Sequence, residues 1–531
     1  APDKEGNLRW EGRQLFRGTL VENNSFDVTI RLRARQNRKD LIFADRHWNM
    51  EKDVIDSGIT GQFRSLISWA ASDVYNRKLL LGLIPPAKPE RRIEIADNDI
   101  SPYHRELLEN ALSAPDYFLL WGPPGTGKTR YMVKNLIQLV IANTEKPVLV
   151  LAYTNRAVDE LCNAIESISP EYCEKYIRIG SRYGTDPSFV GNLLDEKLLE
   201  ISNRKQLLEL LHTRRIIIGT ASALLGKTEL FSLLSFEWAL IDEASQILDP
   251  QIIELLSYVP KFIMIGDHKQ LPAVVTQHRS RCLVTDREMN DCGIFDLSQS
   301  LFERLYLRAI QQGWDWAYGV LHRQGRMHSD IMTFPARHFY DNRLETLFEH
   351  QIAQDFLRPA TEAGHSGRKA ELSRRRMLFF DVRQENFGFQ KMNNAEATLI
   401  RGLLLDLHDL YRECGRRLED TTIGIITPFR AQIVNISTLI ESLPFKLDII
   451  VDTVERFQGG ARDIIILSMV VSSPSHAASI ISANIEGIDR KMNVALTRAR
   501  ERLIMIGNQE VLEQLDYYRE FVQEYGVSAM N

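Results

Sequence analysis

Residues 122–129 carry the most specific chemical motif of this sequence. Their sequence, GPPGTGKT, matches the pattern G-x-x-x-x-G-K-[ST], with the apolar run YFLLW before it and the helical pattern YMVKNLIQLVIA after it. In such a P-loop, backbone N–H groups wrap a polyphosphate, the lysine neutralises its β- and γ-phosphates, and the final hydroxyl binds Mg²⁺. The alternative is a glycine-rich turn with an exposed lysine. The predicted nucleotide-binding residues are Gly122, Pro123, Pro124, Gly125, Thr126, Gly127, Lys128 and Thr129.

Two adjacent carboxylates could complete this site. Asp242 and Glu243 follow the apolar run WALI, and a P-loop needs a carboxylate at the end of a neighbouring strand. We predict that Asp242 holds Mg²⁺ together with Thr129, and that Glu243 orients and deprotonates the attacking water. The pair favours a hydrolase over a kinase. The alternative is an acid pair that caps a helix N-terminus.

Two arginines, Arg498 and Arg500, lie far along the chain in the segment NVALTRAR. An arginine that reaches the γ-phosphate from a second domain stabilises charge in the transition state and couples hydrolysis to domain closure. This segment therefore predicts an arginine supplied in that way. Without its motif, the pair would indicate a solvated helix face.

The elements that must position these residues follow from alternating apolar runs and helical segments. The runs YFLLW, KPVLVLAYT, RRIIIGT, EWALIDEA and KFIMIGD form one series, and MLFFDV, IGIITPF, FKLDIIVDTV, DIIILSMVV and RLIMIGN form a second. This alternation is typical of parallel sheets in α/β proteins. We predict two α/β domains, at 99–308 and 309–531, with a helical insertion at about 166–212 in the first.

The first 98 residues have a different pattern. Residues 8–50 contain short strand-like runs separated by polar turns, which predicts a small β-barrel within residues 1–60. From 61 to 98 the apolar period becomes helical before a Pro85-Pro86 break, which predicts a helical stalk.

Three arginines alternate with apolar residues in the predicted barrel. Because side chains of a strand alternate between its faces, Arg31, Arg33 and Arg35 would lie on one face. Such a row suits a nucleic-acid phosphate backbone. The alternative is the solvated outer face of a half-buried strand.

Composition limits the class of protein. The 531 residues are 44% hydrophobic and 25% charged, with a net charge of −5, which excludes a mainly disordered chain. Five cysteines without a C-x-x-C pair argue against a disulfide framework or zinc ribbon and favour the cytoplasm. No apolar run approaches the roughly 18 residues of a membrane span, so no membrane partner is expected. The chain begins at Ala1 without an initiator Met, which is compatible with an upstream domain.

Nine ordered segments resemble superfamily 1B helicases. They are GPPGTGKT, VLAYTNRAVDEL, LIDEASQ, GDHKQLPAV, a Q-x-R-M-H segment at 324–328, an N-x-x-E-A segment at 393–397, ITPFRAQ, DTVERFQG and NVALTRAR. The resemblance covers about Ile100 to Asn508. It is to the group holding the nonsense-mediated-decay RNA helicase and the helicase region of the replication nuclease-helicase, whose bacterial relatives share the layout of the first 98 residues. It implies two RecA-like motor domains behind a barrel on a stalk, with ATP and Mg²⁺ as cofactors.

The resemblance also implies roles for single residues. Gln270 matches the γ-phosphate sensor, and Arg326 and Arg498 match the two arginines contributed by the second motor domain. The positions that match the nucleic-acid track are Thr154, Asn155, Thr220, Thr427, Pro428 and Arg430. The sequence LPAV after the sensor lacks the base-stacking aromatic residue of superfamily 1A, which favours the 1B branch and movement from 5′ to 3′.

Three positions depart from the family pattern. His104 replaces the glutamine that contacts adenine, Gly325 replaces a tyrosine, and Ala461 replaces a glutamate expected near the ribose. Each change removes a base or sugar contact and leaves the phosphate contacts in place. We therefore predict weak nucleotide selectivity, with His104 either contacting the base or lying on the surface.

The sequence thus predicts an ATP-dependent helicase or translocase on single-stranded nucleic acid. DNA is favoured over RNA on the layout of the first 98 residues alone. The alternatives are a nucleotide-gated clamp that grips nucleic acid without unwinding it, and an RNA helicase. An unrelated P-loop metabolic enzyme would need neither the second sheet nor its arginines. No nuclease site is evident, so a nuclease partner would lie outside these residues.

Overall fold

The computed structural model describes residues 16, 18–24, 26–32, 50, 57–96, 100–353, 357, 366–383, 391–457, 460–478, 480–483 and 486–527. The chain forms two compact units, residues 1–62 and 63–531. Among the described residues, no helix has the length and apolar character needed to cross a membrane.

The first unit contains an antiparallel strand pair. Strands β1 (Gly18–Asn23) and β2 (Val28–Leu32) pair with Thr19 opposite Arg31. The turn between them is closed by Asn24, whose Oδ1 accepts hydrogen bonds from the N–H groups of Phe26 and Asp27. The remaining strands of the predicted barrel lie outside the described residues, as do Arg33 and Arg35.

The second unit is built on two parallel sheets, as predicted. The first has seven strands in the order β5-β6-β4-β7-β8-β3-β9. Its strands are β3 (Tyr117–Trp121), β4 (Val148–Ala152), β5 (Tyr176–Ile179), β6 (Ile216–Thr220), β7 (Trp238–Ile241), β8 (Lys261–Gly266) and β9 (Tyr318–Val320). Because every neighbouring pair is parallel, the carboxyl ends of these strands meet at one edge.

Two strands of this sheet were absent from the sequence prediction. Strand β5 lies inside the predicted helical insertion at about 166–212, where the buried Arg178 interrupts its apolar run. Strand β9 lies beyond the predicted boundary at 308 and has only three residues. Runs this short carry no period that distinguishes a strand from a loop.

The second sheet has five parallel strands in the order β12-β16-β15-β13-β14. They are β12 (Met377–Asp381), β13 (Ile423–Ile426), β14 (Ile450–Asp452), β15 (Arg462–Ser468) and β16 (Ala499–Gly507). All five were predicted as apolar runs. A short parallel pair, β10 (Arg323–Gln324) with β11 (Glu345–Thr346), lies between the two sheets in the sequence.

Helices cover the sheets. The α-helices are Ser57–Ala70, Val74–Leu80, Pro102–Ser113, Lys134–Asn143, Asn155–Glu166, Leu194–Lys197, Arg204–Thr213, Ala221–Leu225, Leu230–Leu233, Asp249–Ser257, Arg287–Asp291, Leu301–Gln312, Ser329–Phe339, Gly367–Arg374, Asn394–Glu413, Arg430–Glu441, Pro474–Ala478, Arg490–Leu496, Gln509–Leu512 and Asp516–Tyr525. Side chains of β3 alternate between two hydrophobic clusters, Leu119 and Trp121 in one and Phe118 and Leu120 in the other. Both faces of the first sheet are therefore buried, as parallel sheets require.

Candidate active site between the two sheets

The P-loop connects β3 to the helix that follows it. Gly125 and Gly127 have φ angles of +79° and +80°, a left-handed conformation that favours glycine. A Cβ atom on Gly125 would also lie 2.6 Å from the Cβ of Arg326. Lys128 Nζ donates to the carbonyl of Gly122 at 2.5 Å. Since Lys128 begins a wide helical turn that continues into the next helix, the loop ends at a helix N-terminus, where an anion is favoured.

A hydroxyl and a carboxylate meet beside this loop, as predicted for a Mg²⁺ site. Thr129 Oγ1 donates to Asp242 Oδ2 at 2.6 Å. Burial, reinforced by the adjacent Glu243, raises the pKa of Asp242 to about 7, although Thr129 and Lys128 oppose the rise. Both groups are oxygen ligands, and Mg²⁺ in phosphate sites typically takes one or two carboxylates together with water and phosphate oxygens. The residues present therefore fit this ion.

Glu243 adopts a strained backbone conformation. Its φ is +50°, in the left-handed region, where a residue with a side chain loses roughly 1 to 2 kcal/mol. The Glu243 N–H donates to Asp242 Oδ1 at 2.9 Å, and Gln246 Nε2 donates to Glu243 Oε2 at 3.3 Å. These contacts stabilise the turn that holds the predicted general base beside the predicted metal ligand.

The second sheet supplies an arginine to the first. Arg498 is buried, and its Nη2 donates to Gln270 Oε1 at 3.2 Å. Arg326 Nη1 donates to the carbonyl of Thr497 at 3.0 Å. Arg500, in contrast, is 48% exposed and paired with Asp463 at 3.1 Å. Of the two arginines in NVALTRAR, only Arg498 contacts the predicted sensor.

Positive charge is concentrated at this junction. Burial, together with Arg498 and Arg500, holds the pKa of Arg326 well below its usual range. Burial also lowers the pKa of Arg498 to about 10, although Glu243 opposes the shift. Burial destabilises both guanidinium cations, and like charge adds to this at Arg326. A polyanion bound here would therefore be stabilised by both arginines.

The segment before Arg326 is tied to the P-loop. The Gly325 N–H donates to the carbonyl of Gly125 at 2.9 Å. A Cβ atom on Gly325 would lie 2.6 Å from a ring carbon of Phe348. A residue with a side chain at this position would therefore require the half-exposed Phe348 ring to move.

His104 lies within an aromatic cluster. Its ring centroid is 5.0 Å from that of Tyr103 and 4.4 Å from that of Tyr131, and its Nδ1 is 2.7 Å from Ser101 Oγ. Burial, and then the charge of Arg323, lower the pKa of His104. The interpretation as a surface histidine is therefore wrong. Ala461, the third departure, contributes its carbonyl as an acceptor for Arg462 Nη1 at 2.9 Å.

The nucleic-acid candidates of the first sheet lie at its carboxyl edge. Thr154 lies just after β4, and Thr220 is the last residue of β6, which pairs with β4. Each caps the next helix and accepts from a backbone N–H at 3.1 Å. Asn155 is exposed beside Thr154. The structure therefore brings these residues to neighbouring strand ends.

The candidates of the second sheet differ in exposure. Thr427 is fully buried, and its hydroxyl finds no hydrogen-bond partner in the described part of the chain. Pro428 is half-buried, and Arg430 is exposed at the start of its helix. In this structure, Pro428 and Arg430 are accessible to solvent and Thr427 is not. The two halves meet nearby, where Arg156 Nη1 donates to the carbonyl of Arg456 at 3.3 Å.

Comparisons with known proteins agree with this geometry. Two protein-family models, both described as AAA domain, match the chain. One matches residues 99–208 and 193–278, and the other matches residues 297–510. The chain is 28% identical over 490 residues to the DNA replication ATP-dependent helicase/nuclease JHS1 of Arabidopsis thaliana, covering 88% of this chain and 33% of the relative. It is 26% identical over 463 residues to the DNA polymerase alpha-associated DNA helicase A of Saccharomyces cerevisiae, covering 75% and 63%. It is 30% identical over 336 residues to Helicase sen1 of Schizosaccharomyces pombe, covering 62% and 18%.

The chain is similar to superfamily 1B helicases. It spans less than two thirds of the length of each of these three relatives. The family resemblance inferred from nine motifs is confirmed.

Three buried residues, Asp267, Tyr340 and Asn493, were given no role by the sequence analysis. Asp267 accepts from Trp121 Nε1 at 2.8 Å, from Gln270 Nε2 at 2.6 Å and from the Tyr340 hydroxyl at 2.8 Å. Asn493 Nδ2 donates to the same hydroxyl at 2.8 Å. The aspartate of GDHKQ was a visible signal, because it precedes the sensor by three residues. Tyr340 lies outside all nine motifs.

Proposed function

We propose that this chain is the motor of an ATP-dependent helicase that moves 5′ to 3′ on single-stranded DNA. The observation that carries the proposal is the contact between Arg498 and Gln270, which joins the second sheet to the P-loop sheet. An arginine that depends on the position of the other sheet makes hydrolysis sensitive to domain closure. The two RecA-like motor domains would be residues 99–308 and 309–531, behind a barrel at 1–60 and a stalk at 61–98.

Each site residue has a role in this proposal. Lys128 binds phosphate charge, Thr129 and Asp242 hold Mg²⁺, and Glu243 takes the proton of the attacking water. Mg²⁺ would neutralise charge on the phosphates when bound. Gln270 senses the γ-phosphate, while Arg326 and Arg498 stabilise the transition state.

A direct test compares DNA substrates of opposite polarity. We expect ATP-dependent displacement of a strand from a duplex with a 5′ single-stranded tail, and none from its 3′-tailed counterpart. A Lys128→Ala variant is the matched control. Displacement from the 3′-tailed substrate alone would contradict the assigned direction.

Two other functions remain as alternatives with distinct outcomes. A nucleotide-gated clamp would bind single strands in response to ATP without displacing a strand. An RNA helicase would show stronger ATPase stimulation by RNA than by DNA of matched length. DNA is favoured because the names of two relatives specify DNA helicases. A reducing compartment is proposed because all five cysteines are free.

The arginine row of the first unit is proposed as an additional phosphate contact. Arg31 lies in β2, whereas Arg33 and Arg35 lie outside the described residues, and their place on the same strand face is a prediction from the sequence. Changing all three to Ala should lower the salt slope of the binding constant by up to about 2 units, at about 0.7 per phosphate lost, without changing basal ATPase. The check is fluorescence-anisotropy titration of single-stranded DNA at several salt concentrations. An unchanged salt slope in the triple variant would show that the arginine row is only a solvated strand face.

A further inference from the structure

Tyr340 ends the helix Ser329–Phe339 and is 1% exposed. Its hydroxyl donates to Asp267 Oδ2 and accepts from Asn493 Nδ2, each at 2.8 Å. Asp341 and Asn342, which follow it, have φ angles of +53° and +56°. The chain therefore makes a strained turn directly after the tyrosine, and this turn fixes where the ring enters the core.

Asp267 determines how the sensor amide is oriented. The carboxylate is fully buried, and Gln270 Nε2 donates to it at 2.6 Å. Because the amide nitrogen is held on this side, the amide oxygen is presented to Arg498 at 3.2 Å. A change in the position of Asp267 would thus alter the contact between the sensor and the arginine of the second sheet.

Asn493 connects this network to the same arginine through the backbone. It lies in the helix Arg490–Leu496, and Arg498 follows the end of that helix. Asn493 Nδ2 also donates to the carbonyl of Lys269 at 2.6 Å, next to the sensor. Tyr340 is therefore bonded both to the residue that orients Gln270 and to the helix that leads to Arg498.

We propose that Tyr340 is a positioning residue for hydrolysis, which holds Gln270 and Arg498 in register through Asp267 and Asn493. The inference rests on the proposed ATPase function and adds a residue outside the family motifs. The hydroxyl acts as donor and acceptor at once, which no other single atom of the network does. Burial and the negative charge of Asp267 raise its pKa well above the usual range, so the donor stays protonated at neutral pH.

The experiment compares two tyrosine-to-phenylalanine changes in otherwise identical chains. Tyr340→Phe keeps the ring beside Trp121 and removes both hydrogen bonds. Tyr117→Phe is the matched control, because Tyr117 is 1% exposed and its hydroxyl has no hydrogen-bond partner among the residues described. The measurements are kcat and KM for ATP at saturating single-stranded DNA, fluorescent-nucleotide affinity, and the thermal unfolding midpoint.

We expect Tyr340→Phe to lower kcat about tenfold with KM and nucleotide affinity within twofold of the unchanged chain, since loss of one hydrogen bond to a charged group is of this order. Tyr117→Phe should leave all three unchanged. Asn493→Ala, which leaves every donor to Asp267 in place, should lower kcat by about threefold and serves as the second variant if Tyr340→Phe does not fold.

The outcomes separate this inference from the proposed function. Loss of ATPase in the unchanged chain overturns both. If the unchanged chain is active and the kcat of Tyr340→Phe lies within twofold of it, only the assignment to Tyr340 is overturned. If Tyr340→Phe does not fold, the same result for Asn493→Ala overturns that assignment. A lower unfolding midpoint with unchanged kcat would identify a purely structural tyrosine and also overturns it.

Discussion

The two parallel sheets contribute to the candidate active site in different ways. The first sheet supplies short contiguous segments at its carboxyl edge, the P-loop and the pair Asp242-Glu243, which are positioned by local backbone geometry. The second sheet supplies Arg498, whose position depends on the packing of one sheet against the other, including the buried ion pair of Arg490 with Glu303 at 2.6 Å. Under the proposed function, this comparison predicts that nucleotide binding is a local property of the first sheet and that turnover requires both sheets.

Two changes in the first sheet separate binding from turnover and should have the largest effects. Lys128→Ala and Glu243→Gln should each lower ATPase activity by at least about a thousandfold. Only Lys128→Ala removes phosphate charge, so it should weaken nucleotide affinity, whereas Glu243→Gln should retain bound ATP. Fluorescent-nucleotide titration checks this difference. Equal loss of affinity in both variants would contradict the assigned roles.

Replacement of the buried Arg498 tests whether the second sheet contributes to ATP hydrolysis at the P-loop. Arg498→Ala should lower kcat by about a hundredfold or more with nucleotide affinity nearly unchanged, because the guanidinium acts mainly on charge in the transition state. Arg500→Ala is the matched control, since Arg500 is exposed and paired with Asp463. The measurement is DNA-stimulated ATPase with titrated active sites. Similar losses in the two variants would show that the distinction between these arginines is wrong.

The base-binding end of the site should discriminate weakly. The residues predicted to bind phosphate are present, but His104, Gly325 and Ala461 replace residues that the family resemblance places near the base or sugar. We expect the ratio of kcat/KM for ATP over GTP to stay below about a hundredfold, or about 2.7 kcal/mol. A larger preference would mean that the aromatic cluster around His104 contacts the base and discriminates adenine from guanine.

A change at Glu396 should have the smallest effect, and it involves the second sheet alone. It is fully buried, accepts from Ser468 Oγ at 2.7 Å and from the Val470 N–H at 3.0 Å, and burial raises its pKa from 4.5 to about 7. Because the folded chain keeps this proton to higher pH than the unfolded chain, the stability it contributes is fully present below pH 4.5 and is lost as pH rises through 7.

Glu396→Gln does not titrate and should remove this pH dependence. We expect the free energy of unfolding of the unchanged chain, relative to Glu396→Gln, to fall by on the order of 1 to 3 kcal/mol between pH 5 and pH 8. Denaturant unfolding at several pH values measures it. The exposed Glu510 provides the control change to Gln. If the difference in unfolding free energy between the two chains did not change with pH, the Glu396 carboxylate would not be the group that titrates.

The sequence predicted the P-loop, the pair Asp242-Glu243 and the distant Arg498, but it gave no role to the buried Tyr340, Asp267 and Asn493. The P-loop has a fixed internal spacing after an apolar run, and Asp242 directly follows another apolar run, so pattern alone pointed to them. The two unpredicted strands are too short to show a period, and Tyr340 meets Asp267 only because a helix end packs beside β8. Thr427 matches the family's nucleic-acid track but is buried here, because exposure depends on the neighbours of a strand end and not on its sequence alone.

The order of strands in the first sheet has a consequence for synthesis of the chain. Strand β3, which leads into the P-loop, lies between β8 and β9, and Trp121 pairs with Gly266 on one side and Val320 on the other. Both partners leave the ribosome long after β3, on the order of ten seconds or more at roughly 5 to 20 residues per second. During that interval the apolar run YFLLW has no sheet neighbour. Nascent chains that stop before β8 should therefore depend on chaperones and aggregate without them, whereas chains that extend past β9 can close the sheet.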